Sequence, residues 1–126
     1  MRGYSRAVCI GDTLYVSGTT ATDDRGDVVG AGDPYEQTRY VIGFIKQILT
    51  TAGFKMADIV RTRMFVTNIA KWDEYARAHR EAFHDIRPAS SIVQVARLTD
   101  PRLVVEMEIE AVRGCEFIGN VEIKRS

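Results

Sequence analysis

Three glutamates alternate with apolar residues in the segment VVEMEIEAV near the C-terminal end of the chain. Glu106, Glu108 and Glu110 are two residues apart, so an extended strand would place all three carboxylates on one face, about 6.5–7 Å apart. Neighbouring carboxylates raise each other's pKa, and partial burial raises it further. A carboxylate tuned in this way can act as a general base toward water. The alternative is a solvated strand face, which is the more frequent situation for any single glutamate.

A second segment, IRPASSIVQVARL at residues 86–98, has the form of a chain entering a binding site. Pro88 interrupts the preceding element, and Ser90 and Ser91 offer two hydroxyls before an apolar strand-like run. The first four residues after Arg87, PASS, carry no charge, imidazole or thiol. An ordinary turn is therefore the alternative to a binding site.

Other residue types give no further site. His79 and His84 have no second ligand at metal spacing, and the glycines form no phosphate-binding pattern. These residues therefore give no metal site and no phosphate-binding loop, and we interpret His79 as a packing or surface residue.

Composition narrows the classes of function. The chain has 126 residues, which fits one domain, and its 17 basic and 17 acidic residues give zero net charge. A nucleic-acid or anionic-membrane binder would usually show basic excess. No apolar run approaches the ~20 residues of a membrane span, and no signal peptide is visible. The two cysteines form no disulfide framework, so we expect a cytoplasmic protein.

The spacing of apolar residues predicts the strands and helices that position these groups. Strand patterns span residues 7–10, 13–19, 59–67, 91–96 and 103–112, and the first two flank Gly11–Asp12 as a hairpin. In the third strand, alternation predicts that Val60, Met64 and Val66 face one side and Arg61, Arg63 and Phe65 the other.

Two helices complete the pattern. The first begins at the N-cap Asp33, with Pro34 and a capping-box residue Glu36, and ends at Gly53. The second covers residues 68–83, with an apolar stripe of Ile69, Trp72, Ala76, His79 and Phe83. This order predicts an α+β fold with both helices on one face of a sheet. The other face mixes Tyr15, Phe65 and Val93 with polar groups, which favours a homo-oligomer.

Four segments in this order resemble a known family. They are GYSRAV (residues 3–8), LYVSG (14–18), DIVRTRMFVTNI (58–69), and RPASSIVQVARL with VEMEIEAV (87–112). Together they resemble the Rid family, the reactive-intermediate deaminases of YjgF type, which are also described as endoribonuclease L-PSP-like. We expect one Rid-like domain over residues 1–113, with residues 114–126 as a C-terminal extension, either an extra strand or a tail.

The resemblance implies a chorismate-mutase-like fold that forms a homotrimer around a central β-barrel, with helices outside and clefts between subunits. The implied activity is hydrolysis of 2-imino or enamino acids to 2-keto acids and ammonia, without cofactor or metal. In the family an arginine grips the substrate carboxylate, a glutamate and backbone groups position the water, and a tyrosine lines the cleft.

Carried over to this chain, the resemblance assigns catalytic roles to Glu108 and Tyr4. The usual arginine, expected after Pro88–Ala89, is Ser90 here. Two compensations are open. One is a different substrate, neutral or hydroxylated, that Ser90 and Ser91 bind. The other is a replacement cation, for which our hypothesis is Arg6, two residues after Tyr4 and so on the same strand face; a surface arginine on an edge strand is the alternative. The expected substrate-binding residues are Ser17, Gly18, Ser90, Ser91 and Arg6.

Three functions remain open at this stage. The first is a diverged Rid hydrolase acting on an imine or enamine metabolite. The second is a non-catalytic Rid trimer that binds a metabolite or a protein and regulates it. The third, an endoribonuclease, is disfavoured by the neutral charge and by the lack of an aromatic–basic stacking pattern.

Overall fold

The computed structural model describes residues 3–124, so residues 1–2 and 125–126, at the ends of the expected domain and extension, lie outside the described residues. The elements are β1 Ala7–Ile10, β2 Thr13–Thr20, α1 Pro34–Ala52, β3 Ile59–Val66, α2 Trp72–Phe83, β4 Ala89–Gln94 and β5 Val105–Val112. Within residues 3–124, the five strands form one sheet in the spatial order β1-β2-β5-β3-β4, and only β3 and β4 pair in parallel. The α+β class is confirmed.

The core lies between the sheet and the two helices. In β5, Val105, Met107, Ile109 and Ala111 are buried, and the glutamates between them alternate onto the open face of the sheet. Val41, Ile45 and Leu49 of α1 cover the apolar side of the sheet. The predicted row of three carboxylates is therefore confirmed, and it faces away from the helices. In the part of the chain that is described, no helix is long and apolar enough to cross a membrane.

Helix α1 begins and ends as its sequence predicts, with one difference. The Asp33 side chain accepts a hydrogen bond from the Glu36 N–H at 3.1 Å, and Gly53, with φ 81°, closes the C-terminus. The reciprocal half of the expected capping box is not formed. The Asp33 N–H already donates to the Gly30 carbonyl, so the Glu36 carboxylate instead pairs with Arg39.

The second helix differs more from its prediction. A 3₁₀ turn, Ile69–Lys71, capped by Asn68, precedes α2, which begins only at Trp72. Because a 3₁₀ turn has three residues per turn, it interrupts the helical period. The expected stripe was therefore wrong at Ile69 and Trp72, which are exposed, and the residues of α2 that are buried are Tyr75, Ala78 and Phe83.

The last strands also deviate from the expected bounds and faces. A register shift between Ile59 and Arg61 turns Val60 outward, so its predicted place beside Met64 was wrong. Strand β4 begins at Ala89 and ends at Gln94, because its partner β3 ends there. Strand β5 begins at Val105 rather than Leu103.

The C-terminal segment forms no strand within residues 113–124. Its exposed apolar side chains are Phe117, Ile118, Val121 and Ile123. It returns to the loop before β4, where the Asn120 amide donates to the Arg87 carbonyl at 3.0 Å and Glu122 forms an ion pair with Arg87. The extension was predicted to be either an extra strand or a tail, and its described residues form a tail.

Candidate functional site

An open cavity of about 590 Å³ lies where the N-terminal segment crosses the end of β2. We call it the N-terminal cavity. Its lining includes Tyr4, Arg6, Gly18, Phe44, Asp100 and Glu106. The structure thus brings together three of the residues expected at the site, namely Tyr4, Arg6 and Gly18.

The N-terminal segment is fixed to β2 by several hydrogen bonds. The Ser17 hydroxyl donates to the Ser5 carbonyl at 2.6 Å, and the Ser17 N–H donates to the Arg6 carbonyl at 3.0 Å. The Arg6 guanidinium donates one hydrogen bond, to the Gly18 carbonyl at 3.2 Å. A guanidinium has five N–H donors, and within residues 3–124 this is the hydrogen bond that the Arg6 side chain donates. Tyr4 is largely exposed at the mouth.

Glu106 of β5 contributes its carboxyl group to this cavity, which Asp23, Asp24 and Asp100 also line. The register between β2 and β5 shifts between Val16 and Thr19, which brings Gly18 against the Glu106 side chain. A Cβ on residue 18 would lie 2.8 Å from the Glu106 Cδ, closer than any ordinary contact. Burial raises the pKa of Glu106, the charge of Glu108 raises it further, and Arg6 opposes both effects. Sequence reasoning placed Glu106 in the carboxylate row but gave it no role.

Glu108, to which the resemblance assigns the catalytic role, lies in a different environment. The Arg63 Nη1 atom is 3.2 Å from one oxygen of Glu108 and 3.2 Å from one oxygen of Glu110. These residues line a second depression of about 240 Å³, together with Tyr15 and Ser17. Ser17 therefore lines this second depression, although its neighbour Gly18 lines the N-terminal cavity.

The two serines of the PASS segment face opposite sides of the sheet. Ser90 pairs with Thr62 and its hydroxyl lies 2.7 Å from the Thr62 hydroxyl and 3.4 Å from the His79 Nε2 atom. Ser91 pairs with Arg63 on the open face. Neither Ser90 nor Ser91 is among the residues that line the N-terminal cavity.

His79 packs as expected, but it also takes part in a hydrogen bond. Its ring stacks on Phe83 with centroids 4.5 Å apart, and its Nε2 atom lies 2.9 Å from the Thr62 hydroxyl. Burial lowers the pKa of His79, which favours the neutral imidazole. Among residues 3–124, no group of three or more His, Cys, Asp or Glu side chains is arranged to hold a metal ion.

Comparison with known proteins agrees with this fold. The family model described as Endoribonuclease L-PSP matches residues 1–113. The 3-aminoacrylate deaminase RutC of Acinetobacter baylyi is 35% identical over 104 residues, which cover 82% of this chain and 82% of that protein.

Two solved structures are also similar. Rv2704 of Mycobacterium tuberculosis, a member of the YjgF/YER057c/UK114 family, is 42% identical with a TM-score of 0.79, covering 88% of this chain and 87% of that one. E. coli TdcF with bound serine is 26% identical with a TM-score of 0.81, covering 90% and 91%. The chain therefore belongs to the Endoribonuclease L-PSP family, which is the YjgF or Rid family.

Proposed function

We propose that this protein is a diverged Rid-family hydrolase that releases ammonia from a small imine or enamine bearing a carboxylate. The observation that carries the proposal is the position of Arg6, which lines the N-terminal cavity beside Tyr4 and Gly18. Arg6 places a cation in this cavity. Ser90, which occupies the position of the family's usual arginine, carries no charge. The named activity of the RutC relative, deamination of 3-aminoacrylate, concerns a substrate of this class.

In this proposal the Arg6 guanidinium binds the substrate carboxylate, because its planar fork matches that group in a bidentate way. The Tyr4 hydroxyl and the backbone at Gly18 line the cavity around the reacting carbon. Glu108, which lines the second depression together with Ser17, is the water-orienting glutamate that the family resemblance assigns. No metal or cofactor is required for hydrolysis of a C=N bond.

The proposal includes a homotrimer around a central β-barrel, with a cleft at each seam. It is supported by exposed apolar side chains on the open sheet face, such as Val8, Tyr15 and Val93, which are 46–47% exposed. A further copy of the chain would remove this surface from water. Both cysteines are free, which fits the cytoplasmic location that we propose.

The test is ammonia release from freshly generated 2-imino acids, with a matched imine that lacks the carboxylate. A lost hydrogen bond to a charged group is worth ~1.5–3 kcal/mol, so Arg6→Ala should raise KM for the carboxylate substrate roughly ten- to a hundredfold. Arg6→Lys should restore part of the affinity, and the neutral imine should be affected little. An unchanged KM for the carboxylate substrate would refute the role of Arg6.

A second function is favoured by one comparison. TdcF, a structural relative of this chain, was solved with bound serine. A wild-type protein that is inert but binds serine or a 2-keto acid in calorimetry would indicate the non-catalytic metabolite-binding trimer. A gain of activity in Ser90→Arg, with an inert wild type, would indicate a Rid site that has lost only its anchor.

A further inference from the structure

The C-terminal tail, residues 114–124, lies beyond residues 1–113, which the family model matches. It carries the four most exposed large apolar side chains of residues 3–124, which are 76–95% exposed. These side chains are Phe117, Ile118, Val121 and Ile123. Soluble proteins seldom leave several large apolar side chains together in water unless another surface covers them. The tail is therefore a candidate interaction surface.

Contacts with the loop before β4 determine which side of the tail faces outward. The Asn120 amide donates to the Arg87 carbonyl at 3.0 Å, and the Glu122 carboxylate pairs with the Arg87 guanidinium. In an extended segment, Val121 and Ile123 lie on the side opposite to Glu122, and both are more than 80% exposed. The polar side of the tail therefore contacts its own subunit, and the apolar side faces away from it.

The sheet has two unpaired edges, which lie on opposite sides. Among the described strands, β1 and β4 are the outermost, and each pairs on one side only. The tail is anchored where β4 begins, on one of these sides. On the other side, β1 reads AVCI and has no charged residue or proline, and its Val8 and Ile10 are 46% and 65% exposed. An unprotected apolar edge of this kind readily pairs with a further strand.

We propose that the tail of one copy of this chain adds as a strand to the β1 edge of a second copy. Strand addition would provide partners for the free N–H and C=O groups of β1. The two segments also match in spacing, since Val121 and Ile123 are two residues apart, as are Val8 and Ile10. A strand of the tail therefore places its two apolar side chains beside the two of β1, on the open face of the sheet.

A second copy fits this role better than a foreign strand. Each chain carries one tail and one free β1 edge on opposite sides of its sheet, so copies placed side by side in the same orientation use every tail and every edge. Such a contact is heterologous, and a closed ring leaves no free end. The 17 basic and 17 acidic residues give the copies no net repulsion. The inference rests on the homotrimer included in the proposed function and names the segments that join its subunits.

Disulfide cross-linking through the native Cys9 tests the contact. With the two apolar pairs in register, position 122 lies opposite Cys9 whether the strands run parallel or antiparallel. Within one chain, β1 and β4 are four strand spacings apart, roughly 19 Å, and a disulfide needs Cα atoms within ~7 Å. Glu122→Cys in a Cys115→Ser background, oxidised with glutathione disulfide, should therefore link separate chains and give covalent trimers on a non-reducing gel.

Two controls share the Cys115→Ser background. Adding Cys9→Ser to Glu122→Cys should abolish the link. Ile118→Cys introduces a thiol in the same exposed tail but outside the paired segment, so it should link to Cys9 more slowly than Glu122→Cys does.

Sedimentation over a concentration series measures the association itself. Val121→Glu places a charge in the contact and should raise the concentration at which the oligomer dissociates by about tenfold or more. Ile118→Glu, the matched control, should raise it little. Main-chain hydrogen bonds provide much of the affinity in strand addition, so alanine at a single tail position is a mild change.

The outcomes separate this inference from the proposed function. A trimer that persists in Val121→Glu and gives no link to Cys9 in Glu122→Cys overturns the inference and leaves the proposed function standing. Equal rates of linking in Glu122→Cys and Ile118→Cys overturn it as well. A monomeric wild type overturns the inference together with the proposed homotrimer, while ammonia release remains a separate measurement of the hydrolase.

Discussion

Gly18→Ala should displace the Glu106 carboxylate without changing its chemistry. A Cβ on residue 18 would lie 2.8 Å from the Glu106 Cδ, and ordinary contact begins at 3.4 Å, so Cδ must move by at least 3.4 − 2.8 = 0.6 Å. The nearer carboxylate oxygen has to move further. Gly18 is not among the glycines with positive φ, so the backbone itself accepts alanine, and the flexible end of the glutamate must move instead.

Glu106 lines the cavity in which we propose that the substrate binds, and a misplacement of about 1 Å within such a site can cost about 100-fold in rate. We therefore expect kcat of Gly18→Ala to fall by up to ~100-fold in the ammonia-release assay, with the cooperative unfolding transition retained. The carboxylate-binding contribution to KM should change little, because Arg6 bonds to the Gly18 carbonyl and not to its Cα.

Gly43→Ala is the matched control. Gly43 is exposed on α1, and a Cβ there would meet nothing within 4 Å. This variant should keep wild-type kcat and gain about 1 kcal/mol of stability, since alanine favours a helix over glycine. Full activity in Gly18→Ala, or a crystal structure in which Glu106 has not moved, would refute the positioning of Glu106 by this glycine.

Two further predictions concern stability, measured by urea unfolding. Because folding raises the pKa of Glu106, the stability it contributes is present below its ordinary value of 4.5 and is lost as pH rises through the folded value. Glu106→Gln should therefore be more stable than wild type at neutral pH, and equal stabilities there would contradict the burial of this group; the difference should vanish at acid pH. Ile45→Ala removes a fully buried side chain and should cost ~2–5 kcal/mol, whereas Ile123→Ala, in the exposed tail, should stay within about 0.5 kcal/mol. Similar losses in the two isoleucine variants would contradict the assigned core.

Short sequence patterns predicted those elements whose bounds are set by residues within the element itself. The helix α1 has its cap, its first-turn proline and its terminal glycine within the segment itself, so its bounds were accessible from sequence. The alternation of β5 likewise needs only the strand period. Helix α2 was less accessible because its start is set by a 3₁₀ turn, which shifts the apolar face toward Tyr75 and Ala78.

The geometry of the site could not be predicted without knowing the register between neighbouring strands. Which glutamate meets Gly18 depends on the register shift between β2 and β5, and which glutamate is neutralised depends on where Arg63 falls in the β3–β5 register. One signal was available in the sequence, since Arg61 and Arg63 alternate with the same period as the glutamates. Oppositely charged rows on neighbouring antiparallel strands favour cross-strand ion pairs, and this would have marked Glu108 and Glu110 as partners of arginine.

The contact between Gly18 and Glu106 has a consequence for how this sequence can change over evolutionary time. Positions 18 and 106 are 88 residues apart along the chain (106 − 18). The Glu106 side chain nevertheless fills the space that a side chain at position 18 would need. Any side chain acquired at position 18 must be accompanied by a shorter or redirected residue at position 106. Within close descendants of this chain, these two positions are therefore expected to covary.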